Sequence, residues 1–120
     1  MPLSEIICNL FAARDTAHEL HLKTRSFAAH MALDGLYNGL VPLIDALAET
    51  IQGKYGVFDM SKCQPMTFDK STPVEFVKQF ASWAEEQRGS FDANDTHLLN
   101  DWDVIITLIY TAKYKLENLG

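Results

Sequence analysis

Apolar residues recur along this chain at alternating steps of four and three, the spacing of helices that pack side by side. Ile6, Leu10, Ala13, Ala17 and Leu20 follow that pattern after Ser4, a residue type suited to an N-cap, and predict a first helix over about residues 4–22. Leu33, Leu36, Tyr37, Leu40, Leu43, Ile44, Leu47 and Ile51 lie on one face of a second helix over about residues 26–53. Thr24 or Ser26 can cap its start, and Gly53 and Gly56 stand near its end. Pro42 falls inside this helix, where a missing backbone donor costs about 3 kcal/mol, so a kink or bulge is expected between Gly39 and Pro42.

Residues 54–71 show no sustained period and read as a long connection carrying a short helix or turn. Fully extended, about 18 residues reach at most ~60 Å. A bundle of such helices is roughly 40 Å long. The connection can therefore return the chain to its starting end and let a third helix run parallel to the second. Thr72, Pro73 and Glu75 form the clearest start signal, an N-cap with Pro at the first position and Glu in the capping box. Phe76, Val77, Phe80, Trp83 and Ala84 give the third helix, about 73–88, its apolar face, and Gly89 stops it. Asp95 can cap a fourth helix whose Leu98, Trp102, Ile105, Ile109, Ala112, Leu116 and Leu119 keep the most regular heptad of the four. The expected architecture is all-α: one domain over residues 1–120, a four-helix bundle with one long crossover between its second and third helices.

Composition narrows the function classes. A hydrophobic content of 48% and a charged content of 22% fit a folded globular chain and exclude disordered and collagen-like classes. Ten basic against sixteen acidic residues leave a net charge of −6. Lys and Arg form no run, so DNA binding through phosphate contacts is not expected. An acidic surface attracts cations instead. No apolar run approaches about 18 residues and the N-terminus lacks a basic leader, so a cytoplasmic, non-membrane protein is expected. Cys8 and Cys63 are far apart and outside any CxxC pair, which predicts two free thiols in a reducing compartment, Cys8 packing as a small hydrophobe.

The candidate chemistry sits on the polar stripe of the second helix. At about 100° per residue, His30, Asp34, Asp45 and Glu49 fall near 0°, 40°, 60° and 100° around the axis, apart from the apolar face. His30 and Asp45 are roughly 22 Å apart along that axis, so one ion cannot bind both in one chain. The stripe is two half-sites, His30 with Asp34 and Asp45 with Glu49, each spaced i and i+4. Two chains with antiparallel second helices would bring unlike halves together, giving two equivalent mixed sites per two-fold dimer. His18 lies as far before a turn near Thr24 as His30 lies after it, so the two imidazoles are expected to face each other. His21, one turn beyond His18, is either the alternative ligand or a supporting group. Two His and three carboxylates suit iron or manganese better than a closed structural zinc site, with zinc as a substitute. His97 and Asp101 read as an exposed pair near a helix start, and Trp83 and Trp102 as packing. Neither a nucleophile motif nor a phosphate-binding loop is present.

In residues 17–56 the order of His18, His30 in FAAH, Asp34, and Asp45 and Glu49 in DALAE resembles the Dps-like (mini-ferritin) branch of the ferritin-like superfamily. The resemblance implies a ferritin-like bundle with a ferroxidase centre between subunits. His18, His30 and Asp34 would come from one chain, Asp45 and Glu49 from its two-fold partner. It further implies Fe(II) oxidation by hydrogen peroxide or oxygen, iron storage in a hollow, usually dodecameric shell, and protection from oxidative stress. The chain departs from that pattern at Glu19, where the family has Trp, in the turn, which lacks the family's Gly, and in its shortened first helix. The choice between His18 and His21 stays open for that reason. It also lacks the basic tail of DNA-binding members. Its ending, YKLENL, is similar to small Dps-like proteins, some of them from bacteriophages, which implies the cytoplasm of a bacterial or phage-infected cell. The alternative is a non-enzymatic helical dimer of the same fold, a phage accessory or host-interaction protein.

Overall fold

The apolar stripes close on one another in a computed structural model that describes residues 1–120. Four helices form: α1 (Leu3–Lys23), α2 (Phe27–Tyr55), α3 (Pro73–Gln87) and α4 (Thr96–Asn118), with a 3-10 turn at Arg88–Ser90. The molecule is all-α, and the four helices pack together, α2 lying against both α1 and α4, and α3 against α4. None of them is long and apolar enough to cross a membrane. The stripe residues Leu33, Leu36, Leu40, Ile44, Leu47 and Ile51 are all buried, as are Leu98, Trp102, Ile105, Ile109 and Ala112. Each end of such a stripe buries about 1.5–3 kcal/mol worth of apolar side chain per large residue, so tertiary packing rather than propensity holds these helices.

The caps follow the sequence in two cases. Ser26 Oγ accepts from the Ala29 backbone N–H at 3.1 Å, and Thr72 Oγ1 accepts from the Glu75 N–H at 3.1 Å. The first helix instead starts one residue earlier than Ser4, with Pro2 in the cap position. Helix α2 runs unbroken through Pro42. Pro42 is on the exposed face, where water can hydrate the Asn38 carbonyl that its ring leaves without a donor.

Asp95 departs most from expectation. It stands in the cap position of α4, but its carboxylate makes no cap hydrogen bond and accepts instead from Lys54 Nζ and Tyr55 OH at the end of α2. With its side chain 3% exposed, it fastens the start of α4 to the end of α2. Lys54 first, then Tyr55, hold this carboxyl below its ordinary 3.8. A carboxyl with a lowered folded value stabilises fully above its unfolded value and loses that contribution as pH falls through the folded one. Urea unfolding of wild type and Asp95→Asn should therefore differ clearly at pH 6, with the difference shrinking below pH 3.8. An unchanged difference would show that the carboxylate charge is not what matters.

The segment between α2 and α3 tracks along α1. Phe58 N–H donates to Gln52 Oε1 at 3.0 Å, Cys63 is disulfide-bonded to Cys8, and Met66 N–H donates to buried Asn9 Oδ1 at 2.7 Å. The expected pair of free thiols is thus a bridge, because the fold brings this segment onto α1. Further on, Phe68 plugs into the core against Phe76, Phe80 and Trp83, and Lys70 pairs with Glu19 at 2.8 Å. Ser71 and Pro73 then line a hollow with Leu20, Lys23 and Thr24 at the far end of α1.

Candidate histidine and carboxylate site

The turn between α1 and α2 is only Thr24–Ser26 long, and it brings the last turn of α1 against the first turns of α2. Here His21 and His30 lock each other. His21 Nδ1 lies 2.8 Å from the His30 carbonyl oxygen, and His30 Nδ1 lies 3.0 Å from the His21 carbonyl oxygen. A carbonyl only accepts, so in the neutral state each Nδ1 carries the proton and donates it, which leaves the lone pair on Nε2. The His21 carbonyl belongs to the last turn of α1, where helix geometry supplies no N–H, so the same contact also caps that helix. The rings stack with centroids 3.7 Å apart, and His21 is 7% exposed while His30 is half-buried. His30 also lines a shallow hollow with Thr24, Arg25, Ser26 and Phe27.

His18 does not face His30. Its ring stacks on Tyr37 at 4.3 Å and lies 6.0 Å from His21, with the residue exposed to solvent. The facing pair His21 and His30 is centred between Arg25 and Ser26 rather than on Thr24, so that His21, not His18, meets His30. Asp34, half-buried, accepts from Tyr37 OH at 3.3 Å and from Asn38 Nδ2 at 3.1 Å. Asp45 and Glu49 are exposed farther along α2, and the chain's ion pairs fall elsewhere, on Glu19, Asp95, Asp103 and Glu117 among others. His97 is exposed, as expected.

The structure therefore gathers His18, His21, His30 and Asp34 at one end of the α1/α2 hairpin and leaves Asp45 and Glu49 apart. Within one chain, no three His, Cys, Asp or Glu side chains come together where they could hold one ion. The separation along α2 expected from helix pitch has the same consequence. Glu19, standing where the expected pattern had Trp, binds Lys23 and Lys70, and these two cations pull its carboxyl down to about 2. Sequence reading missed Tyr37 as a member of this group, treating it as core. The signal was its place three residues after Asp34, one turn away on the same helix.

Comparison with known proteins corrects the resemblance drawn above. The profile that matches is that of a family of unknown function, DUF5856, over residues 21–116, and no Dps-like or ferritin-like family is indicated. The His and carboxylate offsets that carried the resemblance cover only a few positions of one hairpin, and an amphipathic hairpin can place polar residues at such offsets without common descent. The chain is also similar to the "Uncharacterized 14.6 kDa protein in mobD-ri intergenic region" of Enterobacteria phage T4. The two are 28% identical over 109 residues, which covers 90% of this chain and 82% of that protein. No solved structure matches. Since the profile match extends from the last turn of α1 almost to the end of α4, the chain belongs to the family of unknown function DUF5856.

Proposed function

We propose that this protein pairs with a second copy through the exposed face of α2 and takes up Fe(II) as a substrate between the two helices. The observation that carries the reading is the reciprocal bonding of His21 and His30 at one end of α2, with Asp45 and Glu49 exposed and without ion-pair partners toward the other. Each half is too poor in ligands for an ion. An antiparallel second copy supplies the complementary half, and a two-fold axis makes two such sites. The same face of α2 carries Phe27, Met31 and Val41, apolar side chains exposed at 77%, 50% and 39%, which a second copy would cover. The net charge of −6 favours a cation as the guest.

In this reading His30, His18 and Asp34 of one copy, which in the single chain do not converge on one ion and would have to close on it as the copies join, and Asp45 and Glu49 of the other are the ligands, with His21 holding the His30 ring and tautomer from behind. Mixed nitrogen and oxygen ligands suit Fe(II), with Mn(II) or Zn(II) able to take the same place. The chemistry is ferroxidation: two Fe(II) ions give up one electron each, and one hydrogen peroxide with two protons takes them to form two waters. The finer fold belongs to the same proposal. The run of the connecting segment along α1, from Cys8 to Thr24, supports a long crossover that sets α3 parallel to α2 in a four-helix bundle. The relative in a bacteriophage supports action inside a phage-infected cell.

Anaerobic Fe(II) titration monitored by calorimetry, with light scattering for the oligomeric state, tests it. Wild type should bind iron stoichiometrically as a dimer or larger homo-oligomer and oxidise it on peroxide addition. His30→Ala and Asp45→Ala should each abolish binding. Mixing the two variants should restore about a quarter of the sites, because half the dimers are mixed and each mixed dimer keeps one intact site. Wild type that binds no iron, or a mixture that recovers nothing, overturns the reading. A second reading, a helical interaction protein without metal chemistry, is favoured by one observation. The apolar hollow of Phe27, Ala28, Met31, Ala32 and Leu119 lies open at the same end of the molecule. A dimer indifferent to iron would support it.

A further inference from the structure

Helices α2 and α4 run antiparallel, the start of α2 beside Leu119 and its end beside Asp95. Between those ends they share an outward face that is nearly free of charge. On α2, over residues 28–46, the positions within about 60° of Gly35 include the exposed Met31, Asn38, Pro42 and Ala46 and no charged residue. Asp34 and Asp45 lie about 100° and 80° away. On α4 the matching strip runs from Asn100 to Asn118 through Val104, Thr107, Thr111 and Tyr114, and Lys115 is its one charged residue. Val104 and Tyr114 are 51% and 59% exposed. The Thr107 and Thr111 hydroxyls donate to the Asp103 and Thr107 carbonyls at 3.0 and 2.9 Å, so they are satisfied within the helix. Other charges of α4 are paired off this strip, Asp103 with Arg88 and Lys113 with Glu117.

We propose that this joint α2/α4 face is the interface with a second copy of the chain, formed without metal about a two-fold axis that passes between Asn38 and Gly39. Such an axis sets Met31 against Ala46, Pro42 against Gly35 and Asn38 against Gly39, a larger residue against a smaller one each time. On α4 an axis between Thr107 and Leu108 sets Val104 against Thr111 and Lys115 against Asn100, which keeps the two lysines at opposite ends. One axis serves both helices, because Leu108 lies over Gly39: a Cβ on that glycine would stand 3.0 Å from Leu108 Cδ2. An isologous contact requires this kind of self-pairing. At about 1.5 Å per residue and about 10 Å between helix axes, the face measures about 27 by 20 Å. Roughly 500 Å² per copy, or about 1,000 Å² for the pair, reaches what a specific interface needs. Charge selects the same occupant. A chain of net charge −6 opposes its own copy, whereas no carboxylate stands on this face, and a charged partner would find only Lys115 to pair with. The pairing has only the second copy in common with the metal reading, which gives α4 no part, and it needs no ion.

Analytical ultracentrifugation of the full chain in EDTA tests it, and wild type should sediment as a dimer. Gly35→Glu and Thr111→Glu set a carboxylate against Pro42 and Val104 of the other copy, and should each weaken dimerisation at least about thirtyfold. Nothing lies within 4 Å of the position a Cβ would take on Gly35, so the single chain accommodates that change, and thermal melts check that both variants are folded. Val57→Glu adds the same charge at an exposed position off the face and should leave the dimer unchanged. The chain has no free thiol of its own, so introduced cysteines report proximity. Thr107→Cys, next to the axis, should cross-link two copies under mild oxidation, whereas Ala46→Cys, about 22 Å from its own counterpart along the helix, should not. Monomeric wild type in EDTA, dimers that persist in both folded Glu variants, or cross-linking by Ala46→Cys as strong as by Thr107→Cys overturns the proposal. A dimer that forms only with Fe(II) overturns it and leaves the metal reading standing. A metal-free dimer of this kind that never binds Fe(II) supports it and overturns the metal reading alone.

Discussion

Reducing the Cys8–Cys63 bridge is expected to destabilise the protein by about 4 kcal/mol, the chain-entropy cost of releasing a loop whose ends are 55 residues apart. Urea denaturation with and without reductant measures it directly. The Cys8→Ala, Cys63→Ala double variant should match the reduced wild type. Hydrogen exchange should rise in the segment around residues 57–66 before it rises in the helices, because Phe68 and the Glu19–Lys70 pair still hold its far end. Identical unfolding midpoints would mean that the Asn9–Met66 hydrogen bond and the Phe68 plug hold the segment without covalent help. The bridge also changes what the two thiols can do, since neither is free to bind metal or act as a nucleophile.

Trp102→Ala should cost about 3–5 kcal/mol, among the largest effects of any single replacement in this core. The side chain is fully buried, packs at 5.8 Å from Trp83 and 5.3 Å from Phe91, and donates its Nε1 hydrogen to the Ala84 carbonyl at 2.7 Å. It joins α4 to α3 at the position where the two helices approach the 3-10 turn. Trp102→Phe should lose less, since packing remains and one buried hydrogen bond goes. Trp83 provides the contrast, because its Nε1 is buried without a partner. Removing a donor that has no acceptor relieves a cost, so Trp83→Phe should be nearly neutral by the same chemical denaturation. Comparable losses at the two positions would show that ring volume, not the indole N–H, decides the energetics here.

The four helices were legible because each carries an apolar stripe at a helical period, and the α3 start was legible because Thr72, Pro73 and Glu75 act locally. What escaped sequence reading depends on pairs distant along the chain. Asp95 looked like a cap because its neighbours in sequence favour one. Its real partners, Lys54 and Tyr55, are about forty residues away, and a charge-assisted bond there outcompetes a single backbone N–H. Asn9 and Cys8 looked like ordinary members of α1, and only the path of the connecting segment reveals what they hold. At the candidate site, composition of the stripe was readable but its pairing was not. A displacement of the turn's centre from Thr24 to between Arg25 and Ser26 gave His30 to His21 and left His18 to Tyr37. The family resemblance failed for a related reason: it rested on a few spaced side chains of one hairpin, whereas the profile that matches draws on residues 21–116 as a whole.

The bridge between α1 and the connecting segment has a topological consequence as well as an energetic one. It closes residues 8–63, most of α1 and all of α2 included, into a covalent ring from which α3 and α4 hang. A single backbone break anywhere inside that ring, for instance beside the exposed Val57, opens the ring without dividing the molecule. The two ends created by such a cut stay on one covalent body for as long as the two sulfurs remain joined.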